Sequence, residues 1–407
     1  MTSTSPRLVV GSAPRFSEHT KAIASDGAAG WAIADAAAEA ISRGENVVSL
    51  CLGDTSFDTP DRILKTAIES LQNGRTHYSP VPGTPELRAA IASAQGRFDG
   101  NDWDAHQATV FSGAQNALFA AVMTVAGAED EVLYFEPWYA TYEATIRAGG
   151  ARAKPVKTAL ADETGKLLEQ AIAKAISPAT RAILINSPNN PGGYVLTRAD
   201  LELVVMVAEQ HNLWIISDEV YRTAVFDEKY LSITQIEGAR ERTILVNSLS
   251  KSHAMTGWRV GWTLAPIAAA QHLENLAQCM LFGSPTFIQD AAAVALQEAG
   301  DAEMEAFSAA LRSRRDLMCG RLATMSPLSF VRPRGGMFCF VDVSGTGRTG
   351  AQFASELYEA KGLAVVPGVA FGPNMSAYIR ISFSASEEVI EEGLERLRAF
   401  TETLSGL

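Results

Sequence analysis

The 407-residue chain holds only four cysteines, Cys51, Cys279, Cys319 and Cys339, far apart and with no C-x-x-C pair. That spacing argues against a disulfide framework or a thiol-redox motif and fits reduced thiols. Histidine is sparse too: six residues, with no H-x-x-x-H and no Cys/His cluster, so no metal centre is expected. Positive charge is in deficit. Lys and Arg number 34 against 46 Asp and Glu, a net charge of −12, which leaves no basic stripe to neutralise phosphates and argues against a nucleic-acid partner. No apolar run approaches the ~20 residues that cross a bilayer. The opening MTSTSPRLVVGSAPRF lacks the basic region and long apolar run of a secretory leader. A cytoplasmic protein without a membrane partner is expected. Internal repeats, low-complexity linkers and charge blocks are missing as well.

What is present is an ordinary globular composition, 47% hydrophobic and 20% charged, with chain enough for about two or three domains and a large core. Short β-branched runs at 109–111, 132–135, 181–186, 213–216 and 243–246 predict buried strands. Strands alternating with helices predict an α/β fold with a mainly parallel sheet, whose ligand groups gather at strand exits. An Ala-rich helix is expected over 31–42, with Ile33, Ala37, Ala40 and Ile41 on one face, then a short strand over 47–52 and a helix over 61–71. A long amphipathic stretch, 302–322, leads to later strands at 335–340 and 378–382.

The most informative stretch comes after the run 243–246 and reads SLSKSHAMTGWRVG over 248–261. The Arg259 fork and the Ser248 hydroxyl suit a phosphate. The Lys251 amine can form a Schiff base with an aldehyde carried on that phosphate. A structural lysine in a turn, with Arg259 on a solvated surface, is the competing reading, and one short motif does not separate the two.

This stretch resembles the lysine signature of the class I/II aminotransferases, the fold type I enzymes that use pyridoxal phosphate. The family pattern asks for a small residue, an apolar or small one, another small one and Lys, then G-x-R-x-G beginning six residues on. Ser248, Leu249, Ser250, Lys251, Gly257, Arg259 and Gly261 meet it, and further segments stand in family order from 53 to 380. Gly53 opens G-D-T-S-F-D-T-P, similar to the family's G-E-P-D-F-D-T-P, with departures at Asp54, Thr55 and Ser56. The resemblance implies that the Gly53 backbone approaches the substrate carboxylate, as a residue without Cβ permits. Tyr78 begins Y-x-P-x-x-G-x-x-x-L-R; in the family that tyrosine reaches the cofactor phosphate of the neighbouring subunit, which implies a homodimer with shared sites. After the strand at 109–111, Ser112-Gly113-Ala114-Gln115 turns into a helix. Such a turn offers free N–H groups to an anion, and the resemblance makes Gly113, Ala114 and Gln115 the phosphate turn.

Four later segments complete the series. Tyr139, two residues after Pro137, takes the place of the aromatic that the family stacks on the pyridine ring, with Trp138 its neighbour. The segment from Ser187 to Gly193 is similar to N-P-x-N-P-T-G, departs at Ser187 and Gly192, and keeps Asn190 for the cofactor's phenolic oxygen and the substrate. Asp218-Glu219-Val220-Tyr221 matches D-E-x-Y. Asp218 then keeps the pyridine nitrogen protonated, and Tyr221 bonds the phenolic oxygen. Arg380 matches the arginine whose fork takes the substrate α-carboxylate. Singly, each has a plainer reading: Tyr78 and Asn190 as turn residues, Tyr139 as a lid on the core, Asp218 at a helix start, Arg380 on an edge strand. The order of the series favours a site.

The resemblance implies a fold type I α/β protein. A large domain over 53–300 carries a mainly parallel seven-stranded sheet flanked by helices, and 301–407 form a smaller α/β domain with part of the N-terminal segment 1–52. It implies an aminotransferase holding pyridoxal 5'-phosphate on Lys251, with Ser248, Ser250 and Arg259 at the phosphate. Lys251, Asp218 and Tyr139 are then the catalytic set, and an α-amino group moves from an amino acid to a 2-oxo acid. Within the family, Asp26-Gly27-Ala28-Ala29 and the stretches 247–262, 272–277, 283–285 and 287–290 are similar to transaminases that join arginine and pyruvate, and to related enzymes of guanidino amino acids. Asp26, or Asp54, then faces a guanidinium, against a plainer role for Asp26 near a helix cap. Aspartate and aromatic aminotransferases use the same residues, as do β-lyases, decarboxylases and some oxidases. A transcription regulator built on this fold needs a DNA-binding domain, for which the segment before Gly53, with no basic helix, leaves no room. An inactive homologue is disfavoured by Lys251.

Overall fold

The computed structural model describes residues 15–23, 31–158 and 166–405. Among these, seven strands form the main sheet: β1 (Ala108–Phe111), β2 (Glu131–Glu136), β3 (Arg152–Lys157), β4 (Thr180–Asn186), β5 (Trp214–Asp218), β6 (Thr243–Ser248) and β7 (Gly261–Leu264). Their spatial order is β1-β7-β6-β5-β4-β2-β3. Neighbours are parallel except at β7, which runs antiparallel to both β1 and β6. This is the mainly parallel seven-stranded sheet expected from the sequence.

Among the helices that cover the two sheets are α1 (Ala32–Ser42), α2 (Pro85–Asp99), α3 (Ala114–Val125), α4 (Asp301–Leu322) and α5 (Glu387–Ser405). The main sheet is covered on both faces, which is why its strands read as near-continuous apolar runs. Side chains alternate between the two cores: Ile244 and Val246 of β6 pack in the cluster that holds Ala117, Ala120 and Ala121 of α3, while Leu245 packs in the cluster on the other face. The small residues of α3 let that helix lie close against the sheet.

A second sheet is built from β8 (Ser329–Phe330), β9 (Phe338–Asp342), β10 (Val366–Pro367) and β11 (Tyr378–Ser382), in the order β10-β11-β9-β8 and antiparallel throughout. Its core gathers Met318 and Leu322 of α4, Phe338, Ile379, Ile381 and Leu397 of α5. The early chain returns here, since Val48–Ser49 pairs in parallel with Leu363–Ala364.

Two local expectations are corrected. The strand predicted over 47–52 is only Val48–Ser49: Leu50 O accepts from the backbone N–H of Ser382, and the carbonyls beyond are taken by side chains, Cys51 O by Arg380, Leu52 O by Ser384 and Gly53 O by Lys251. The buried face of α1 is Ala34, Ala37 and Ala40, not the face that includes Ile41, which is exposed. Spacing alone did not separate two small-residue stripes one position apart.

Candidate active site

A cavity of about 320 Å³ lies at the strand exits of the main sheet, closed on its other side by the segment at Gly53 and by Arg380 of β11. Strand register explains why distant residues meet there. Asn186 at the end of β4 is the partner of Asp218 at the end of β5, and Gly261 at the start of β7 is the partner of both Phe111 and Ser248. One edge of the sheet therefore presents Asn186, Asp218, Ser248 and the turn after Phe111 side by side.

Lys251 lies three residues beyond β6, and its Nζ donates to Gly53 O at 2.5 Å. Burial pushes its amine down to about 8; Asp54 opposes that shift, while Arg380 and Arg259 add to it. Asp218 accepts from Tyr142 Oη at 2.7 Å and from Val220 N at 3.3 Å. Burial pushes its carboxyl up to about 6 against those two hydrogen bonds, and among the described residues no basic side chain is paired with it. A buried carboxylate in that state favours a cationic neighbour.

Arg380 is 1% exposed, in the middle of the second sheet between β9 and β10. Its guanidinium lies 4.1 Å from the Phe338 ring centre and 5.4 Å from that of Trp31. Nη1 donates to Asn190 Oδ1 at 3.0 Å and Nη2 to Cys51 O, whereas Nε has no partner. Burial lowers its pKa to about 10. Asn190 also donates from Nδ2 to Tyr221 Oη at 3.3 Å, so Arg380, Asn190 and Tyr221 form one chain of contacts along the wall.

The opposite end collects donors. The N-cap of α3 is Gly113 at φ +85°, and a Cβ there would collide with Arg259 Nη2. A Cβ on Gly261 would come within 2.6 Å of Ala114 N. Glycine at both places lets the α3 N-terminus, Ser248 and Arg259 crowd together. The first N–H groups of a helix have no partner within it, and with the Ser248 and Ser250 hydroxyls and the Arg259 fork they make an anion cradle.

Gly53, Ala114, Gln115, Tyr139, Asn190, Asp218, Tyr221, Ser248, Ser250, Lys251, Arg259 and Arg380 all line this cavity, and Gly113 underlies it. Trp138 does not; it is buried edge-on against Tyr134. Tyr78 lies elsewhere, 85% exposed, and Asp26 falls outside the described residues. Gly53 also has a second reason to be glycine, since a Cβ would come within 2.5 Å of the Phe338 ring. Sequence reasoning missed Tyr142, Asn186, Trp31 and Phe338. Tyr142, three residues after Tyr139, had a weak signal in its helical spacing; Trp31 and Phe338 had none, because they arrive from distant elements.

Residues 45–397 match the family model for aminotransferase class I and II. An arginine–pyruvate transaminase of Pseudomonas aeruginosa is 45% identical over 393 residues, which cover 96% of this chain and 99% of that protein. An aromatic-amino-acid aminotransferase of Thermococcus litoralis is 37% identical, over 87% of this chain and 91% of its own. Among solved structures, an aspartate aminotransferase from Thermus thermophilus with maleate matches with a TM-score of 0.88 at 32% identity, over 95% of this chain and 100% of that one. Architecture and sequence are thus shared along nearly the whole chain, strand exits included, and the chain belongs to the class I and II aminotransferases.

Proposed function

We propose that this aminotransferase carries pyridoxal 5'-phosphate on Lys251 and moves the α-amino group of arginine, or another basic amino acid, to a 2-oxo acid such as pyruvate. The observation that carries the reading is the meeting of Lys251, Asp218 and Arg380, from three separate elements, in one cavity. The residues fit the cofactor. Asp218 is a buried carboxylate lacking a cation, which a protonated ring nitrogen supplies, and the α3 N-terminus with Ser248, Ser250 and Arg259 suits a phosphate.

When bound, the cofactor accepts the amino group and draws electron density away from the substrate's Cα. The protein's part is proton handling and orientation. Once released from the cofactor, the Lys251 amine, which burial pushes down to about 8, would be the base for the substrate's Cα proton. Asp218 holds the proton on the ring nitrogen, and Tyr142 fixes that carboxylate. Asn190 and Tyr221 would take the phenolic oxygen, Tyr139 would cover the ring, and Arg380 would take the α-carboxylate beside the Gly53 backbone.

Arginine and pyruvate are supported by the relative named for them at 45% identity; the relatives named for aromatic amino acids and aspartate support a second reading. Asp26 or Asp54 is the proposed partner of the guanidinium. Asp54 lines the cavity and accepts from Thr256 Oγ1 at 2.8 Å. The same proposal includes a cytoplasmic homodimer in which Tyr78 reaches the partner's cofactor phosphate, and a division into a cofactor-holding body over 53–300 with a smaller body from 301–407 and part of 1–52. Among the described residues no helix is long and apolar enough to cross a membrane.

The test is an absorbance scan of the cofactor-loaded protein against a panel of amino acids. Conversion of the cofactor to its amine form by arginine, reversed by pyruvate, is expected. Conversion by aspartate or aromatic amino acids but not arginine sinks the guanidino assignment and leaves transamination standing. Oxygen uptake without amino transfer assigns the site to other chemistry. If Asp26→Asn and Asp54→Asn both leave the preference for basic amino acids unchanged, the guanidinium partner lies elsewhere.

A further inference from the structure

A second cavity, of about 780 Å³, shares a wall with the active site: Val220 and Ser248 line both. It lies between α2, the segment after β5, the end of β6, the start of β7 and α4. None of the steps of transamination uses it.

Its floor carries donors without acceptors. Asn247 of β6 and Trp262 of β7 are direct partners in the antiparallel register, so their side chains lie together on one face of the sheet. They are 3% and 2% exposed, and both line the cavity. Asn247 Oδ1 is engaged by Ser248 N at 2.8 Å, yet Asn247 Nδ2 and Trp262 Nε1 have no partner. An amide NH₂ and an indole N–H can only donate, and a buried donor left without an acceptor carries its full desolvation penalty. Arg222 adds a guanidinium, on which the buried Glu219 is the acid that acts most strongly. Its guanidinium sits 4.3 Å from the Phe98 ring centre and donates from Nη1 to Gln95, one of the five N–H groups it has to offer.

The walls are of two kinds. Phe98, Leu249 and Met304 are apolar, whereas the rim holds acids and bases in balance. Of the acids, Asp301 is within 3.8 Å of Arg97 and Glu228 within 2.5 Å of Arg334, and Glu305 shares the rim with Lys229 and Arg312. The rim therefore selects no sign of charge, and the floor selects an acceptor.

We propose that this cavity is a second ligand site, which takes a small carboxylate with an apolar body. The carboxylate oxygens accept from Asn247 Nδ2, Trp262 Nε1 and Arg222, and the body lies against Leu249 and Met304. This site does not depend on which amino acid the enzyme transaminates.

The experiment is calorimetric titration of the cofactor-loaded protein with acetate, isovalerate and phenylacetate, with the cofactor absorbance followed in parallel. A carboxylate bound at Arg380 perturbs that absorbance, and one bound in the second cavity leaves it unchanged. For isovalerate and phenylacetate an additional, spectroscopically silent binding event is expected. Trp262→Phe keeps an aromatic, though smaller, side chain and removes the donor, and should weaken the silent event roughly tenfold or more. Met304→Glu, which puts a negative charge on the α4 wall without touching the sheet, should abolish it. If every probe gives one event only, or if the silent event survives both variants, the site is refuted and water serves the floor. Calorimetry reads this site even if the absorbance scan overturns the proposed chemistry.

Discussion

Asp218 sits where its carboxyl is pushed from an ordinary 3.8 up to about 6 by burial. The cofactor-free fold therefore binds an extra proton there between about pH 4 and 6. The stability contributed by that proton is present below the unfolded value near 4 and is lost as pH rises through 6. Asp218→Asn, neutral at every pH, should make the cofactor-free protein more stable than the natural one at pH 7–8 by up to about 3 kcal/mol. The gap should close below about pH 4, as urea unfolding across pH would record. On the proposed role of Asp218, the same substitution should all but abolish amino transfer, because the cofactor's ring nitrogen would lose its anion. If Asp218→Asn instead destabilises the cofactor-free protein at pH 8, the carboxylate is structural. At this scale the charged groups were legible in the sequence, Lys251, Asp218, Arg259 and Arg380 all standing in a recognisable motif. Tyr142, which holds the Asp218 carboxylate, was not, since its spacing from Tyr139 is only a weak signal of which tyrosine points inward.

Among the elements that build the site, the junction of β1, α3 and β7 leaves no room for a Cβ at Gly113 or Gly261. Gly113 holds φ +85° with Arg259 where a Cβ would stand. Gly113→Ala should cost about 1–3 kcal/mol in stability from strain and collision, and should weaken cofactor retention by displacing the Arg259 fork. Gly74 supplies the control, at φ +75° with nothing within 4 Å of a Cβ. Gly74→Ala carries strain alone and should leave cofactor affinity unchanged in equilibrium dialysis. Equal losses of cofactor in the two variants contradict the cradle. Five of the seven strands of the main sheet, β1, β2, β4, β5 and β6, were readable from β-branched runs; β3 was not located, and the early strand was predicted too long. Its carbonyls at Cys51, Leu52 and Gly53 are claimed by Arg380, Ser384 and Lys251, side chains roughly 200 or more residues away in the chain, and no local pattern records such a competitor.

For the whole molecule, Tyr78 is the exposed group that most needs a partner. It is 85% exposed and meets Phe282, itself 53% exposed, edge to face at 5.3 Å. The homodimer proposed above would cover this pair. Sedimentation should give twice the 43.5 kDa of one chain. If Tyr78 acts across the dimer, mixing inactive Lys251→Ala with Tyr78→Ala subunits should restore about a quarter of natural activity, since half of the random dimers then hold one intact site. A mixture no more active than Tyr78→Ala alone places that tyrosine outside the partner's site.

The sequence by itself determined the alternation of strands and helices, the mainly parallel sheet, and which residue types stand at each strand exit. Those properties are local, fixed by hydrophobic period and by short motifs in order. Only the tertiary structure decided which of those residues share a cavity. Register sets Asn186 beside Asp218 and Gly261 between Phe111 and Ser248, and the second sheet brings Arg380 against Asn190. The same register puts the unpartnered donors of Asn247 and Trp262 side by side under a second cavity. Such juxtapositions depend on how strands pair and sheets pack across hundreds of residues, and that information has no period along the chain.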